Sequence, residues 1–320
     1  MSSVTVVRAT DIPHASALWS RARQRIDTPT NERMFANGYS ARGFSLGNRR
    51  PEWCWAALDP ADDQVAFVAA AGSTAGVPAV IDVLDLPPDH PVAASALLAA
   101  AADTLMSEHQ LSEIELVVYS PVDDAPLDRD DIKPTLAAIA GAGFELLVLR
   151  RNYLLRPASD DWHRVDTELT FQPVHSLNEQ RLTSLHQALL TNSLDEHHRR
   201  ALQHQAPAEV SREELASMES ADGIGAFFIA VDATGRDVGL VVGAPWTEDR
   251  GAVAFVGVHP EFRGHGYAAQ LTSWMTDRLV SLNVQQIIAD TDIANTPMAS
   301  AFRTVGFPQI QTRIDFVRRG

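Results

Sequence analysis

Cysteine and lysine each occur once in this 320-residue chain, as Cys54 and Lys133, and tyrosine occurs only four times. A lone cysteine excludes an internal disulfide and any cysteine-rich metal site. Between Trp53 and Trp55, in a strand-like segment, Cys54 reads as a packed core thiol rather than a nucleophile. No run of 18 apolar residues is present, so no membrane span is expected. Met1 to Thr5 lack the basic region and apolar core of a secretory signal, and cytoplasmic residence is the expectation. Basic charge is also scarce: 26 Lys and Arg stand against 41 Asp and Glu, a net charge of -15. That balance argues against a nucleic-acid partner held on a basic face. It suits a cationic amine drawn in by the surface field, or plain solubility. The shortage of lysine beside plentiful arginine reads as codon usage in a GC-rich genome.

A hydrophobic content of 45% and a mean hydropathy of -0.09 describe an ordinary globular protein. The length exceeds one typical core, which predicts two domains.

The most informative stretch runs from Val253 to Leu271. Val253–Val258 is strand-length with β-branched or aromatic residues at alternate places, and Pro260 closes the strand because it cannot donate to a ladder. Beyond it, Tyr267, Leu271, Trp274, Met275, Arg278 and Leu279 recur at helical spacing. Between strand and helix stands Arg263-Gly264-His265-Gly266-Tyr267-Ala268. Its glycines let successive N–H groups turn into one concavity at a helix N-terminus, a geometry suited to a pyrophosphate. A tight turn without a ligand is the alternative. The stretch is neither a Walker A loop, lacking Gly-Lys-Ser/Thr, nor a Rossmann turn, lacking the third glycine.

The halves of the sequence share one plan. Gly143-Phe144 and Gly306-Phe307 each follow a helix and precede a strand, and an aromatic stands nine residues after each Phe, Tyr153 and Phe316. A repeat of this length indicates a duplicated domain rather than a solenoid. In the first copy Leu86-Pro87-Pro88-Asp89-His90-Pro91 stands where the glycine loop would be. Prolines and an acid there are unsuited to pyrophosphate.

Arg263-x-x-Gly266-x-Ala268 resembles the acetyl-CoA motif R-x-x-G-x-A of the GCN5-related N-acetyltransferases (GNAT). A second segment is similar too: a strand over Ile287–Thr291, Asn295 opening a helix, then Gly306-Phe307. The resemblance covers residues 165–320. It implies an α/β (α+β) fold of two tandem GNAT-like domains, each a mixed, mostly antiparallel sheet flanked by helices. The expected division is 1–156 as a degenerate domain without a phosphate loop, 157–164 as linker and 165–320 as the acetyl-CoA-binding domain.

The same resemblance implies an acetyl-CoA-dependent N-acetyltransferase acting directly on the amine of a small molecule in a ternary complex; charge and hydropathy add the expectation of no nucleic-acid or membrane partner, and a monomer or homodimer is expected. Backbone groups of Arg263, Gly264, His265, Gly266, Tyr267, Ala268 and Ala269 would hold the pyrophosphate. Main-chain groups of Phe255, Val256 and Val258 would pair with the pantetheine arm, and Asn295 would contact it while also capping its helix. Many family members carry a tyrosine where this chain has Phe302. Phe302 would touch the cofactor but cannot protonate the thiolate, which leaves Ser300, Asp292 or water for that step, or an unassisted departure. For the base, Glu248 (with Asp249) precedes the strand at a position several family members give to glutamate; a plain hairpin turn is the other reading. Glu196, His197 and His198 are candidate substrate contacts, with either histidine also a candidate base, or else a solvated helix face. The histidines are not spaced i, i+4 as helical metal ligands would be, and no metal is expected. A non-catalytic CoA-binding or sensor protein is the alternative to an enzyme. Acceptors in view are the amine of a thiol precursor and natural-product or antibiotic amines.

Overall fold

The computed structural model describes residues 4–61, 63–176, 178–221, 227–245 and 249–320. The elements in chain order are β1 (Thr5–Arg8), α1 (Ile12–Arg21), α2 (Pro29–Phe35), α3 (Tyr39–Leu46), β2 (Cys54–Leu58), β3 (Gln64–Gly72), β4 (Pro78–Asp85), α4 (Pro91–His109), β5 (Glu113–Ser120), α5 (Lys133–Gly141) and β6 (Glu145–Leu155). They continue with β7 (Thr170–Pro173), α6 (Glu179–Leu190), α7 (Glu196–His204), α8 (Pro207–Ala221), β8 (Phe227–Val231), β9 (Asp237–Pro245), β10 (Arg250–Val258), α9 (Tyr267–Ser281), β11 (Gln286–Asp292), α10 (Thr296–Val305) and β12 (Gln309–Arg319). The polar stretch 21–50, unreadable by periodicity, contains α2 and α3, the first capped by Thr28 accepting from Asn31 N.

Two compact units result: Met1–Leu149 with Ile310–Gly320, and Arg150–Gln309. In the first, strands run in the order β1-β2-β3-β4-β5-β12, antiparallel except for β4 and β5. Alternation along β3 sends Ala66, Val68 and Ala70 to the face packed by Leu97, Leu98 and Leu105 of α4. Phe67 and Ala69 go to the other face, against Leu18 and Trp19 of α1. Cys54 is fully buried there, as expected of a core thiol.

The second unit repeats the plan in the order β6-β11-β10-β9-β8-β7, again with one parallel pair, β10 and β11. Phe228, Ala230 and Val241 face Leu271, Met275 and Leu279 of α9. Phe227, Ile229, Leu240 and Val242 face Leu182, Leu185 and Leu189 of α6 with Leu215 of α8.

The unit boundaries differ from the expected 1–156 and 165–320. β6 passes into the second unit at Arg150, and β12 passes into the first at Ile310, so each unit receives its sixth strand from the other half of the sequence. Tyr153 and Leu155 thereby join the core of the second unit, and Ile314 and Phe316 that of the first. Both strands are 11 residues long and each follows the last helix of its half of the sequence. Residues of the expected linker also pack: Trp162 lies on the core of the second unit, and His163 N–H donates to the Val305 carbonyl at 2.8 Å.

Candidate functional site

The parallel ladder between β10 and β11 is short. It runs from Arg250↔Gln286 to Ala252↔Ile288, whereas β10 remains paired with β9 as far as Val258↔Gly239, after a bulge between Val253 and Phe255. A bulge bends its strand and increases the local twist. Here the two parallel strands diverge beyond it. The gap is a cleft of about 590 Å³ lined by Phe255, Val256 and Val258, by Arg263, Gly264, Gly266, Tyr267, Ala268 and Ala269, and by Asn295, Ser300 and Phe302.

At one end of the cleft the loop turns into α9. Gly264 and Gly266 hold φ of +82° and +80°, left-handed values that only glycine adopts freely. A Cβ at either would meet no heavy atom within 4 Å, so the surface above the loop is open. The first N–H groups of α9 have no intrahelical acceptors, and the helix dipole adds positive potential there. Open backbone donors at the head of a 15-residue helix fit an anionic phosphate group.

Arg263 does not point into this cradle. Its guanidinium donates to the carbonyls of Thr191 (2.8 Å), Leu189 (3.0 Å) and Val258 (3.1 Å). It thus ties the end of α6 to the end of β10, and burial holds its pKa below the usual arginine value. His265 also turns away: its Nδ1–H donates to the carbonyls of Arg263 (2.9 Å) and Phe262 (3.3 Å), and its side chain is not in the cleft wall. Asn295 lines the cleft while its Oδ1 accepts from Met298 N at 3.2 Å, so its capping role is present.

Phe302 is 2% exposed and packs between Tyr153 and Phe307, with ring centroids at 4.8 and 5.3 Å. Ser300 borders the cleft from α10. Asp292 lies outside the lining and is 3% exposed; its Oδ2 accepts the Glu196 N–H at 2.7 Å, fixing the N-terminus of α7. Glu248 lies outside the described residues.

The histidine cluster separates into parts. His198 borders the cleft, whereas Glu196 and His197 do not. Glu196 pairs with Arg199 at 2.9 Å, and His197 Nδ1 lies 3.3 Å from Arg150. Arg150, on β6, is 2.6 Å from Asp290 and 3.5 Å from both Asp195 and Asp292. Burial opposes the charge of Asp195, yet Arg150, with His198, holds its carboxyl below the usual range. Burial and the neighbouring Asp195 charge raise Asp292, against the pull of Arg150.

His198 makes a further set of contacts. Its Nε2 lies 3.2 Å from Glu214 Oε2 on α8, and its Nδ1 lies 3.0 Å from Ser193 Oγ. The same Glu214 oxygen lies 3.3 Å from Nε2 of His186 on α6, whose Nδ1 meets Ser211 Oγ at 3.1 Å. Both rings lie near Phe255, with centroids at 5.7 and 6.1 Å. Burial would raise Glu214, but the two histidines beside it bring it down to about 2, although the contacts leave Glu214 Oε2 and His186 Nε2 without a well-directed hydrogen bond. Burial opposes protonation of His198, but Glu214, with the charge of Asp195, raises it above the ordinary value. Arg150, Ser193, Asp290 and Glu214 carry no local motif, and sequence reasoning passed over them. Their grouping depends on β6 and α8 meeting α7.

The acetyltransferase (GNAT) family profile matches residues 191–307, which include the cleft loop. Over those residues the chain is similar to the GNAT family. A mycothiol acetyltransferase of Pseudarthrobacter chlorophenolicus is 33% identical over 115 residues, 32% of this chain and 34% of that protein. The match thus spans about a third of the relative's length. A GCN5-related N-acetyltransferase from Sphaerobacter thermophilus superposes with a TM-score of 0.64 at 12% identity, over 99% of this chain and 95% of that one. A tandem GNAT protein from the clavulanic acid biosynthesis pathway gives 0.52 at 16% identity, over 100% and 98%. At these identities the structural likeness concerns the GNAT fold. Among the described residues no helix is long and apolar enough to cross a membrane.

Proposed function

We propose that the second unit is an acetyl-CoA-dependent N-acetyltransferase that transfers the acetyl group directly to the amine of a small molecule. The observation that carries this reading is the cleft between diverging β10 and β11, which opens at one end onto the glycine cradle of α9. Acetyl-CoA, when bound, supplies the thioester that the amine attacks. Backbone N–H groups of residues 264–268 would hold the pyrophosphate. Main-chain groups of Phe255, Val256 and Val258, beyond the end of the β11 ladder, would pair with the pantetheine arm, and one such N–H would stabilise the developing oxyanion. Holding both reactants in one cleft accounts for much of the rate. Phe302 has no proton to give, and Ser300 is the hydroxyl on α10 bordering the cleft for the departing thiolate. The acceptor is a small amine, with the amine of a thiol precursor in view because of the mycothiol acetyltransferase likeness.

The first unit has Pro87, Pro88 and Asp89 where the second has its glycine loop, and it serves as scaffold. Phe302 favours a second reading, a GNAT protein that binds CoA without transfer.

Calorimetric titration of acetyl-CoA into the wild type and Gly266→Glu, followed by thiol release across a panel of small amines, tests both readings. Micromolar binding lost in the variant, with amine-dependent thiol release, is the expected result. Binding without thiol release supports the second reading. Absence of binding removes both.

A further inference from the structure

Glu214 decides the state of two histidines at once. Its carboxylate is ionised well into the acid range, and one of its oxygens faces Nε2 of both His198 and His186. Neither contact has hydrogen-bond geometry at that oxygen, but a bare lone pair on Nε2 at 3.2 or 3.3 Å would be repelled by the ionised carboxylate, which places the hydrogen on each Nε2. In the neutral ring that leaves Nδ1 of His198 as a lone pair, aimed at Ser193 Oγ 3.0 Å away. The serine hydroxyl must therefore donate to it. Ser193 Oγ also accepts the Asp195 N–H at 3.2 Å, which leaves it one acceptor site. Ser193, Asp195 and His198 all border the cleft, and Ser193 precedes α7 in a turn whose Asn192 has φ +53°. The ring of Phe255, on the bulged strand, lies beside both imidazoles.

We propose that Ser193, His198 and Glu214 form a proton relay at the acceptor end of the cleft, with a cationic primary amine as its substrate class. The inference rests on the transfer reading above. The bound amine loses one proton to solvent, and its nitrogen lone pair then attacks the thioester carbon. As the C–N bond forms and the C–S bond breaks, the remaining excess proton on nitrogen moves to Ser193 Oγ. The Ser193 hydroxyl proton moves to Nδ1 of His198. The imidazolium that results faces the Glu214 carboxylate, and it returns its proton to solvent after the thiolate has left. Ser193 is the catalytic residue, in contact with the amine; His198 and Glu214 act through it.

The charged and titratable groups around His198 come from four elements and the α6–α7 turn: Glu214 on α8, His186 on α6, His197 on α7, Arg150 on β6, and Asp195 at the cap of α7. Burial opposes its protonation, but Glu214 and Asp195 raise its affinity for a proton, and the relay operates with the ring neutral.

Two measurements test the relay. In protein with isotope-labelled histidine, ring-nitrogen NMR reads the tautomer of His198 without any substrate. The expected result is a hydrogen on Nε2 and a bare Nδ1 in the neutral ring, with a titration midpoint that falls in Glu214→Gln. A hydrogen on Nδ1 overturns the proposal. The second measurement follows thiol release from acetyl-CoA with phenethylamine and with water as acceptors, together with acetyl-CoA affinity. Ser193→Ala should lower kcat at least tenfold with the acetyl-CoA Kd within twofold, and Ser193→Thr should restore most of the rate. Full rate in Ser193→Ala overturns the relay and leaves the transfer reading standing. A wild type that binds no acetyl-CoA overturns the transfer reading, and a wild type that binds it without releasing thiol overturns both.

Discussion

Phe302 and Tyr153 lie ring against ring at 4.8 Å, on α10 and β6. The position that many GNAT proteins give to a tyrosine is thus occupied by a packed hydrocarbon, and the nearby phenol belongs to a strand from the other half of the sequence. Burial raises the Tyr153 pKa, which makes it a poorer acid still. The pair belongs to the core beneath the cleft rather than to the proton path.

Phe302→Ala should accordingly act on stability. Truncating a buried phenylalanine costs about 3–5 kcal/mol through lost transfer energy and the cavity left behind. Urea denaturation followed by circular dichroism should show this loss, and an unchanged midpoint would contradict the packing described.

Gly266→Ala and Gly266→Glu separate backbone strain from electrostatics. A Cβ at Gly266 meets open space, but the residue holds φ +80°, so alanine should cost about 1–2 kcal/mol of stability from the left-handed conformation. Glutamate adds a negative charge at the cradle. Acetyl-CoA affinity should fall at least tenfold further in Gly266→Glu than in Gly266→Ala, as read by calorimetry.

Arg263→Lys should loosen the join between α6 and β10. The guanidinium reaches three carbonyls on two elements, whereas an ammonium is a compact donor on a flexible stem. A stability loss of about 1–2 kcal/mol is expected for exposed charge-assisted bonds. Faster amide exchange at Leu189–Thr191 in the variant would be the local signature.

The acid limb of stability should depend on Glu214. Its pKa is lowered on folding from 4.5 to about 2, so its contribution is complete above about pH 4.5 and disappears as the pH falls through about 2. His198 has the opposite sign. Its pKa is raised from 6.5, so its contribution is present below that value and lost as the pH rises through the raised one. Glu214→Gln should flatten both limbs in urea midpoints measured from pH 2 to 9. Equal slopes in wild type and variant would refute the pairing.

Much of the cleft was legible because its parts are local. The run Val253–Val258, the two glycines and the helical spacing from Tyr267 onward state a strand, a turn and a helix in consecutive residues, and the structure assembles them in that order. Asn295 reads as a cap from its neighbours Pro297 and Met298, and it is one. Glu196 and His197 stood beside His198 in the sequence, yet helical geometry turns only His198 to the cleft. Adjacent residues on a helix point about 100° apart, and nothing in the sequence selects which of the three faces inward.

What the sequence determined by itself is the set of elements and their duplication, since period, caps and turn residues act over a few neighbours. The destination of β6 and β12 was decided only in three dimensions. The two strands are equally long and each follows the last helix of its half, so local chemistry does not name the partner and the topology of the whole chain makes the choice. The exchange brings Arg150 to Asp290 and Tyr153 to Phe302. The packing of α6, α7 and α8 likewise joins Glu214 to His186 and His198, because a shared carboxylate needs all three helices in place before any of these groups can pair.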